Sequence, residues 1–295
     1  MPQAGRPRGR ARPPANPLND LTAKEWIQFT RSWFIARPPP RNALERAHPA
    51  KFPEPMAEEF VRFFTKSGMW VLDPFAGTGS TLLAARRLGR NAVGLELVPA
   101  YARFAERRVS RAGDPSTGRA IVLVADSRRL AEVWKAHGLP PVQFVLTSPP
   151  YWDILSKSRG GVLSVHRRRI TAGLPAVYSQ DGRDLANLHD YDDFLAVVVD
   201  VLTQAAALLE PRRYLVVVLQ NVRDERGRIR RLAWDVAQHL DGPLLTFQGE
   251  RIWCQDSKPL GIWGYPSTFV PNYHHHYCLI FRRNGPPVPV EPVTE

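Results

Sequence analysis

The sequence predicts an α/β fold, a mostly parallel sheet built from βαβ units, and it does so on three observations. Apolar runs of strand length alternate with stretches of helical period along most of the chain. A hydrophobic content of 44% over 295 residues is enough to bury a large core. No internal repeat competes with that alternation as an organising pattern.

Strands are expected at Trp70 to Asp73, Asn91 to Glu96, Ala120 to Ala125, Val142 to Thr147 and Tyr214 to Leu219, followed by Leu244 to Trp253 and His275 to Phe281. Helices fit around and between them at Met56 to Thr65, Ser80 to Leu88, Pro99 to Ser110, Arg128 to His137, Tyr191 to Leu209 and Arg228 to Leu240. Residues 1–20 alternate Arg6, Arg8, Arg10 and Arg12 with small residues and proline, which cannot supply a packed core and predicts a disordered basic arm. From Leu21 to Phe34 the spacing of Trp26, Phe29, Trp33 and Phe34 predicts a helix packed on the main domain, ended by Pro38-Pro39-Pro40. Residues 153–188 have no clear periodicity and are long for a plain connection, which reads as a functional insertion, for DNA recognition, or a partly disordered stretch. The last ten residues hold four prolines and read as a tail. One catalytic domain over 21–285, with the insertion inside it, is the expected organisation.

A formal charge of +12 points to a polyanionic partner, since phosphate neutralisation by Lys and Arg supplies most sequence-independent affinity for nucleic acid. The two cysteines, Cys254 and Cys278, stand in no metal-ligand spacing, so no zinc and no disulfide framework is expected. His274, His275 and His276 would be split across the two faces of a strand and have no evident carboxylate companion, so no metal is assigned to them. No apolar run is long enough to span a membrane, and the expectation is a soluble cytoplasmic protein, nucleoid-associated if prokaryotic.

Two segments carry chemistry. The first, Val71-Leu72-Asp73-Pro74-Phe75-Ala76-Gly77-Thr78-Gly79-Ser80-Thr81, sits where a strand ends and a helix opens. Glycines there allow a tight turn and a close approach of backbone to ligand, and the helix start offers unpaired N–H groups. Glu96 ends the next strand, where an acid can accept both hydroxyls of a ribose. A nucleoside-bearing cofactor follows. A dinucleotide dehydrogenase is the natural competitor, but Leu82 stands where its third glycine belongs. The second segment is Leu146-Thr147-Ser148-Pro149-Pro150-Tyr151-Trp152, directly after a strongly apolar strand.

Together these segments resemble the amino-group DNA methyltransferases, the N4-cytosine and N6-adenine enzymes that use S-adenosyl-L-methionine. Asp-Pro-Phe-Ala-Gly-Thr-Gly looks like their cofactor motif, and His48 to Pro55 with the helix after it looks like the turn that contacts the methionine end of the cofactor. The resemblance spans roughly residues 45–282 and implies a Rossmann-like fold of about seven strands, helices on both faces and the last strand antiparallel. By that likeness Phe52, Pro53, Asp73, Pro74, Phe75, Gly77, Gly79, Ser80 and Thr81 are expected at the cofactor, with Glu96 on the ribose and Asp126 accepting from the adenine amino group. The alternative for Asp126 is a cap for the helix that follows it.

The catalytic expectation rests on Ser148, Pro149, Pro150 and Tyr151. An exocyclic amino nitrogen is a poor nucleophile because its lone pair is delocalised into the ring, so its two N–H groups must be held by acceptors that turn the lone pair toward the methyl carbon. The Ser148 hydroxyl and the Pro149 carbonyl are candidates, the prolines stiffen the turn, and the Tyr151 ring offers a stacking face for an extruded base. In the resembled family Ser-Pro-Pro-Tyr is commonest among N4-cytosine enzymes, which puts cytosine ahead of adenine. C5-cytosine chemistry needs a cysteine nucleophile, conventionally after proline, and neither cysteine follows one. Contacts to duplex DNA with a flipped base are expected from Trp152, from Lys157, Arg159, Arg167, Arg168 and Arg169 in the insertion, and from Arg223. Residues 253–273, with Lys258, Trp263, Tyr265 and Asn272, are a further candidate for reading bases. N6-adenine or RNA amino-group methylation and a catalytically silent DNA-binding protein are the alternatives. A cognate restriction endonuclease is a possible partner, and the oligomeric state is left open.

Overall fold

The computed structural model describes residues 16–37, 53–112, 118–152, 181–224, 226–262 and 264–285. Helices and strands alternate through them: α1 (Ala23–Phe29), β1 (Trp33–Ile35), α2 (Glu54–Phe64), β2 (Trp70–Asp73), α3 (Ser80–Arg87), β3 (Asn91–Glu96), α4 (Pro99–Ser110), β4 (Ala120–Val124), α5 (Leu130–Ala136) and β5 (Val142–Thr147). The second half holds α6 (Tyr191–Leu208), β6 (Leu209–Leu219), β7 (Val222–Arg223), β8 (Ile229–Arg230), α7 (Leu232–Leu240), β9 (Leu245–Cys254) and β10 (His275–Arg283).

Eight strands form one sheet in the order β1-β9-β10-β6-β5-β2-β3-β4. Every neighbouring pair is parallel except the two that involve β10, which runs against both β6 and β9. This is the expected Rossmann-like sheet with its last strand reversed, plus one strand, β1, at the edge. The strands are buried on both faces, so their successive residues divide between two cores. Leu72, Val145, Leu215 and Val217 face the side covered by α5, α6 and α7. Val71, Phe144, Leu146, Val216 and Val218 face the side of α1, α2 and α3.

Three expectations need correcting. Leu21 to Phe34 is not one helix: Thr22 and Glu25 form a capping box that starts α1, and α1 stops at Phe29. The chain then pairs with β9, Phe34 against Trp253, and neighbouring residues turn to opposite faces, Trp33 being 53% exposed and Phe34 8%. What decides this is the open edge of β9, which local spacing does not reveal. The Arg251 guanidinium fastens the junction, lying 4.0 Å from the centre of the Phe29 ring and 4.4 Å from that of Phe34 while donating to the Arg31 carbonyl. Secondly, Asn16 to Asp20 fall inside the span read as a basic arm, yet Asn19 is buried and donates to the Phe63 carbonyl at 2.5 Å. Residues 1–15 lie outside the described residues. Thirdly, α7 begins at Leu232 rather than Arg228, because Asp224 accepts from the Arg228 backbone N–H at 2.8 Å and folds the preceding residues into the β7–β8 hairpin.

The sheet order sets the place of any ligand. From β2 the chain winds outward through β3 and β4, then returns to lay β5 on the other side of β2. The crevice at the carboxyl ends of strands where the winding reverses is where open α/β sheets bind ligands, and here it falls between β2 and β5.

Candidate active site

Both chemistry-bearing segments emerge at that reversal, the glycine turn from β2 and Ser148 from β5. Gly77 and Gly79 adopt positive φ, 53° and 80°, which lets the turn enter α3 abruptly. Behind the turn Gly94 of β3 has no room for a side chain, since a Cβ there would come within 2.7 Å of Ala76. The turn is thus seated directly on β3.

A cleft of about 900 Å³, measured to its open mouth, runs over this point. Its walls include Asp73, Phe75, Gly77 and Ser80 from the turn, Glu96 and Asp126 from the ends of β3 and β4, and Ser148 and Pro150 from the end of β5. Pro74 lines it as well. Residues expected at a cofactor and two of those expected to do chemistry, Ser148 and Pro150, therefore share one cavity.

Asp73 is buried, and its carboxylate accepts three bonds from the chain's own donors: the Phe75 N–H at 3.0 Å, the Thr81 hydroxyl at 2.7 Å and the Thr147 hydroxyl at 2.7 Å. Burial nevertheless pushes its pKa up to about 6, against the pull of those three donors. Asp73 and Thr81 thus act as a brace that ties the glycine turn to the residue before Ser148. Thr81, Gly79, Pro53 and the buried Pro149 do not line the cleft. Pro53 is buried at the start of α2, whose Glu54 pairs with Arg108 of α4. Phe52 lies outside the described residues.

Glu96 accepts from the Gly77 N–H at 2.9 Å and the Val98 N–H at 2.7 Å, one bond to each carboxylate oxygen, which leaves lone pairs on both. Burial pushes it up to about 7; the two backbone donors oppose the rise, while Asp184 and Asp73 add to it. Asp126 realises the capping alternative: it accepts from the Arg128 N–H at 3.0 Å and pairs with the Arg128 guanidinium at 2.6 Å. Burial works to raise its pKa, but the Arg128 contacts outweigh burial and hold the carboxyl below its ordinary value. It lines the cleft all the same.

At the other end, the Ser148 Oγ is 3.0 Å from the Tyr151 hydroxyl and 3.1 Å from the Val218 carbonyl, and Tyr151 reaches the same carbonyl at 3.2 Å. The Tyr151 ring packs into the core and lies 5.7 Å from the His276 ring. Tyr151 is not part of this cleft's wall. Trp152 corrects an expectation. It is 7% exposed, donates from Nε1 to the Leu188 carbonyl at 3.0 Å and meets the Tyr191 ring edge to face at 5.3 Å. That burial makes it an anchor for the turn rather than a DNA contact.

Of the other expected DNA contacts, Lys157, Arg159, Arg167, Arg168 and Arg169 lie outside the described residues. Arg223 is half-buried on β7. Nearby, Arg228 and Arg230 are both paired with Asp224, each at 3.3 Å, so part of that basic run is internally neutralised. Among the described residues no group of three His, Cys, Asp or Glu side chains gathers to hold a metal, and His276 is buried against Trp253, ring centres 4.8 Å apart. No helix among them is long and apolar enough to cross a membrane.

Sequence reasoning missed several cleft residues. Arg183, Asp184 and Leu185, at the end of the segment read as a DNA-recognition insertion, form part of the wall. Nothing local marks them, since they reach the cleft only through the fold. Thr78 also lines the cleft, and its hydroxyl is buried with no hydrogen-bond partner among the described residues. Its place between two glycines of the turn was the signal that could have found it. Val218 contributes a carbonyl, which no side-chain motif can announce.

Residues 10–107 match the N6/N4 methyltransferase family described as DNA methylase. The type II methyltransferase M.ScaI of Streptomyces caespitosus is 38% identical over 95 residues, 32% of this chain and 30% of that protein. The type II methyltransferase M2.DpnII of Streptococcus pneumoniae is 39% identical over 62 residues, 21% of this chain and 23% of that protein. These matches span under a third of the relatives' own length. Among solved structures, TrmN from Thermus thermophilus superposes with a TM-score of 0.48 at 16% identity, covering 80% of this chain and 50% of that one.

Proposed function

We propose that the chain is an amino-group DNA methyltransferase that takes S-adenosylmethionine as its cofactor and transfers a methyl group to the exocyclic N4 nitrogen of a cytosine flipped out of duplex DNA. One observation carries this reading: Ser148 and the glycine turn open into the same cleft at the reversal of the sheet. The Ser-Pro-Pro-Tyr form of the turn, commonest among N4-cytosine enzymes, favours cytosine over adenine. A cognate restriction endonuclease is proposed as partner on the family resemblance alone.

The cleft fits the cofactor. Its walls hold carboxyl acceptors for hydroxyl and amine donors, from Glu96 and Asp126, and the Thr78 hydroxyl, without a partner among the described residues, offers a polar hand on the glycine turn. Phe75, Gly77 and Ser80 would hold it from the turn, Glu96 would accept from ribose hydroxyls and Asp126 from the adenine amine. Bound there, S-adenosylmethionine supplies a methyl carbon made electrophilic by a positively charged sulfur.

The chain's own task is orientation. Ser148 Oγ and the Pro149 carbonyl accept the two N–H groups of the target amine, which turns the nitrogen lone pair out of the ring plane and toward the cofactor side of the cleft. Pro149 and Pro150 limit the backbone freedom of the turn, and the Asp73 brace holds Thr147, so the acceptors are placed before substrate arrives. No strong base is required, because the nitrogen becomes acidic once methylated and gives its proton to water.

Ser148→Ala tests the assignment. Turnover should fall by about 100-fold with the affinity for S-adenosylmethionine within about two-fold of the parent, as for loss of one polar group acting in the transition state. Equal turnover in the variant would refute it.

A further inference from the structure

Ser148, Tyr151 and Val218 form a triangle of oxygens with edges of 3.0, 3.1 and 3.2 Å. The carbonyl only accepts, and each hydroxyl has one proton to give. Two protons can therefore make two of the three bonds. Ser148 can donate to Val218 while Tyr151 donates to Ser148, or Ser148 can donate to Tyr151 while Tyr151 donates to Val218, or both can donate to the carbonyl. In every arrangement with both bonds made, the Ser148 proton stays inside the triangle. At least one Ser148 lone pair is then left for the cleft, which Ser148 lines and Tyr151 does not.

We propose that Tyr151 is a positioning residue whose hydroxyl, together with the Val218 carbonyl, retains the Ser148 proton so that Ser148 faces the cleft only as an acceptor. This rests on the reading of Ser148 as the acceptor for the target amine. An acceptor-only serine selects a base edge that donates, an exocyclic amine, over a carbonyl oxygen at the same place. A freely rotating hydroxyl makes no such choice, since it donates as readily as it accepts. The tyrosine of the turn thus acts through its hydroxyl from behind the serine.

Tyr151→Phe keeps the ring and its packing and removes only the hydroxyl. The Val218 carbonyl can still accept from Ser148, so no buried acceptor is orphaned and the fold is preserved, but with the Tyr151 hydroxyl gone only that one bond opposes rotation of the Ser148 proton into the cleft. The experiment is a double-variant cycle on the full chain, reading single-turnover methylation of DNA at saturating S-adenosylmethionine for the parent, Tyr151→Phe, Ser148→Ala and the double variant. Cofactor affinity in each certifies the fold. Tyr151→Phe should slow the parent by about three- to ten-fold, the rate equivalent of one neutral hydrogen bond, and should slow Ser148→Ala no further. A Tyr151→Phe variant as fast as the parent overturns the proposal, as does an equal, additive loss in the Ser148→Ala background, which would place Tyr151 on the substrate or in the scaffold. If Ser148→Ala itself turns over like the parent, the acceptor reading falls too, and the cycle separates that failure from the others.

Discussion

Replacing Glu96 by Gln should change how stability depends on pH more than it changes stability at any one pH. Glu96 is buried beside Asp184 and Asp73, and its pKa rises from 4.5 to about 7 in the fold. Between those values the folded chain keeps a proton that the unfolded chain has released, so raising the pH costs stability, with the full cost present above pH 7. At 1.36 kcal/mol for each pKa unit the displacement is worth about 3 kcal/mol. Gln has no such titration. It also turns an N–H toward either the Gly77 or the Val98 N–H, a fixed cost that does not vary with pH. Urea unfolding of both proteins between pH 4.5 and 8, with no cofactor, should therefore give curves that diverge, the parent losing about 3 kcal/mol relative to Glu96→Gln as the pH rises. Cofactor binding in the parent should weaken as the pH falls below about 7, because a protonated Glu96 no longer offers a charged acceptor to the ribose. Parallel unfolding curves would refute the burial argument, and pH-independent cofactor affinity would refute the assignment of Glu96.

Two further substitutions separate anchoring from DNA contact. Trp152→Ala should cost about 3–5 kcal/mol in unfolding free energy, as large-to-small changes of buried aromatics do, and a variant of parental stability with weakened DNA binding would restore the DNA-contact reading. Arg223→Ala should leave stability within about 0.5 kcal/mol and lower the slope of log affinity against log salt by about 0.9, the value for one phosphate contact; an unchanged slope removes Arg223 from the DNA path.

The legible part of the site was the part written into short stretches at strand ends. Gly77 and Gly79 announce a turn that only glycine takes comfortably, Ser148 stands in a proline-stiffened exit, and Glu96 closes a strand one βαβ unit later; Gly77, Ser148 and Glu96 meet in one cleft. The illegible part was set by partners distant in sequence. Asp73 reads as a ligand residue and lines the cleft, but nothing near it announces that it also braces Thr147, 74 positions on. Trp152 stands beside the Ser-Pro-Pro-Tyr turn in sequence, and it is Leu188 and Tyr191 that bury it. The Tyr151 ring is turned by a carbonyl on β6, and the short strand at Trp33–Ile35 exists because β9 leaves an edge to pair with. In each case side-chain type was informative, while orientation came from backbone groups that look alike in every sequence.

Methylation of duplex DNA by the full chain with isotopically labelled S-adenosylmethionine, followed by mass spectrometry of the released nucleosides, bears most directly on the proposed chemistry. N4-methylcytosine carrying the label is the predicted product. Label on adenine N6 would contradict the choice of base, label on carbon 5 of cytosine the direct-transfer chemistry, and unlabelled DNA the activity itself.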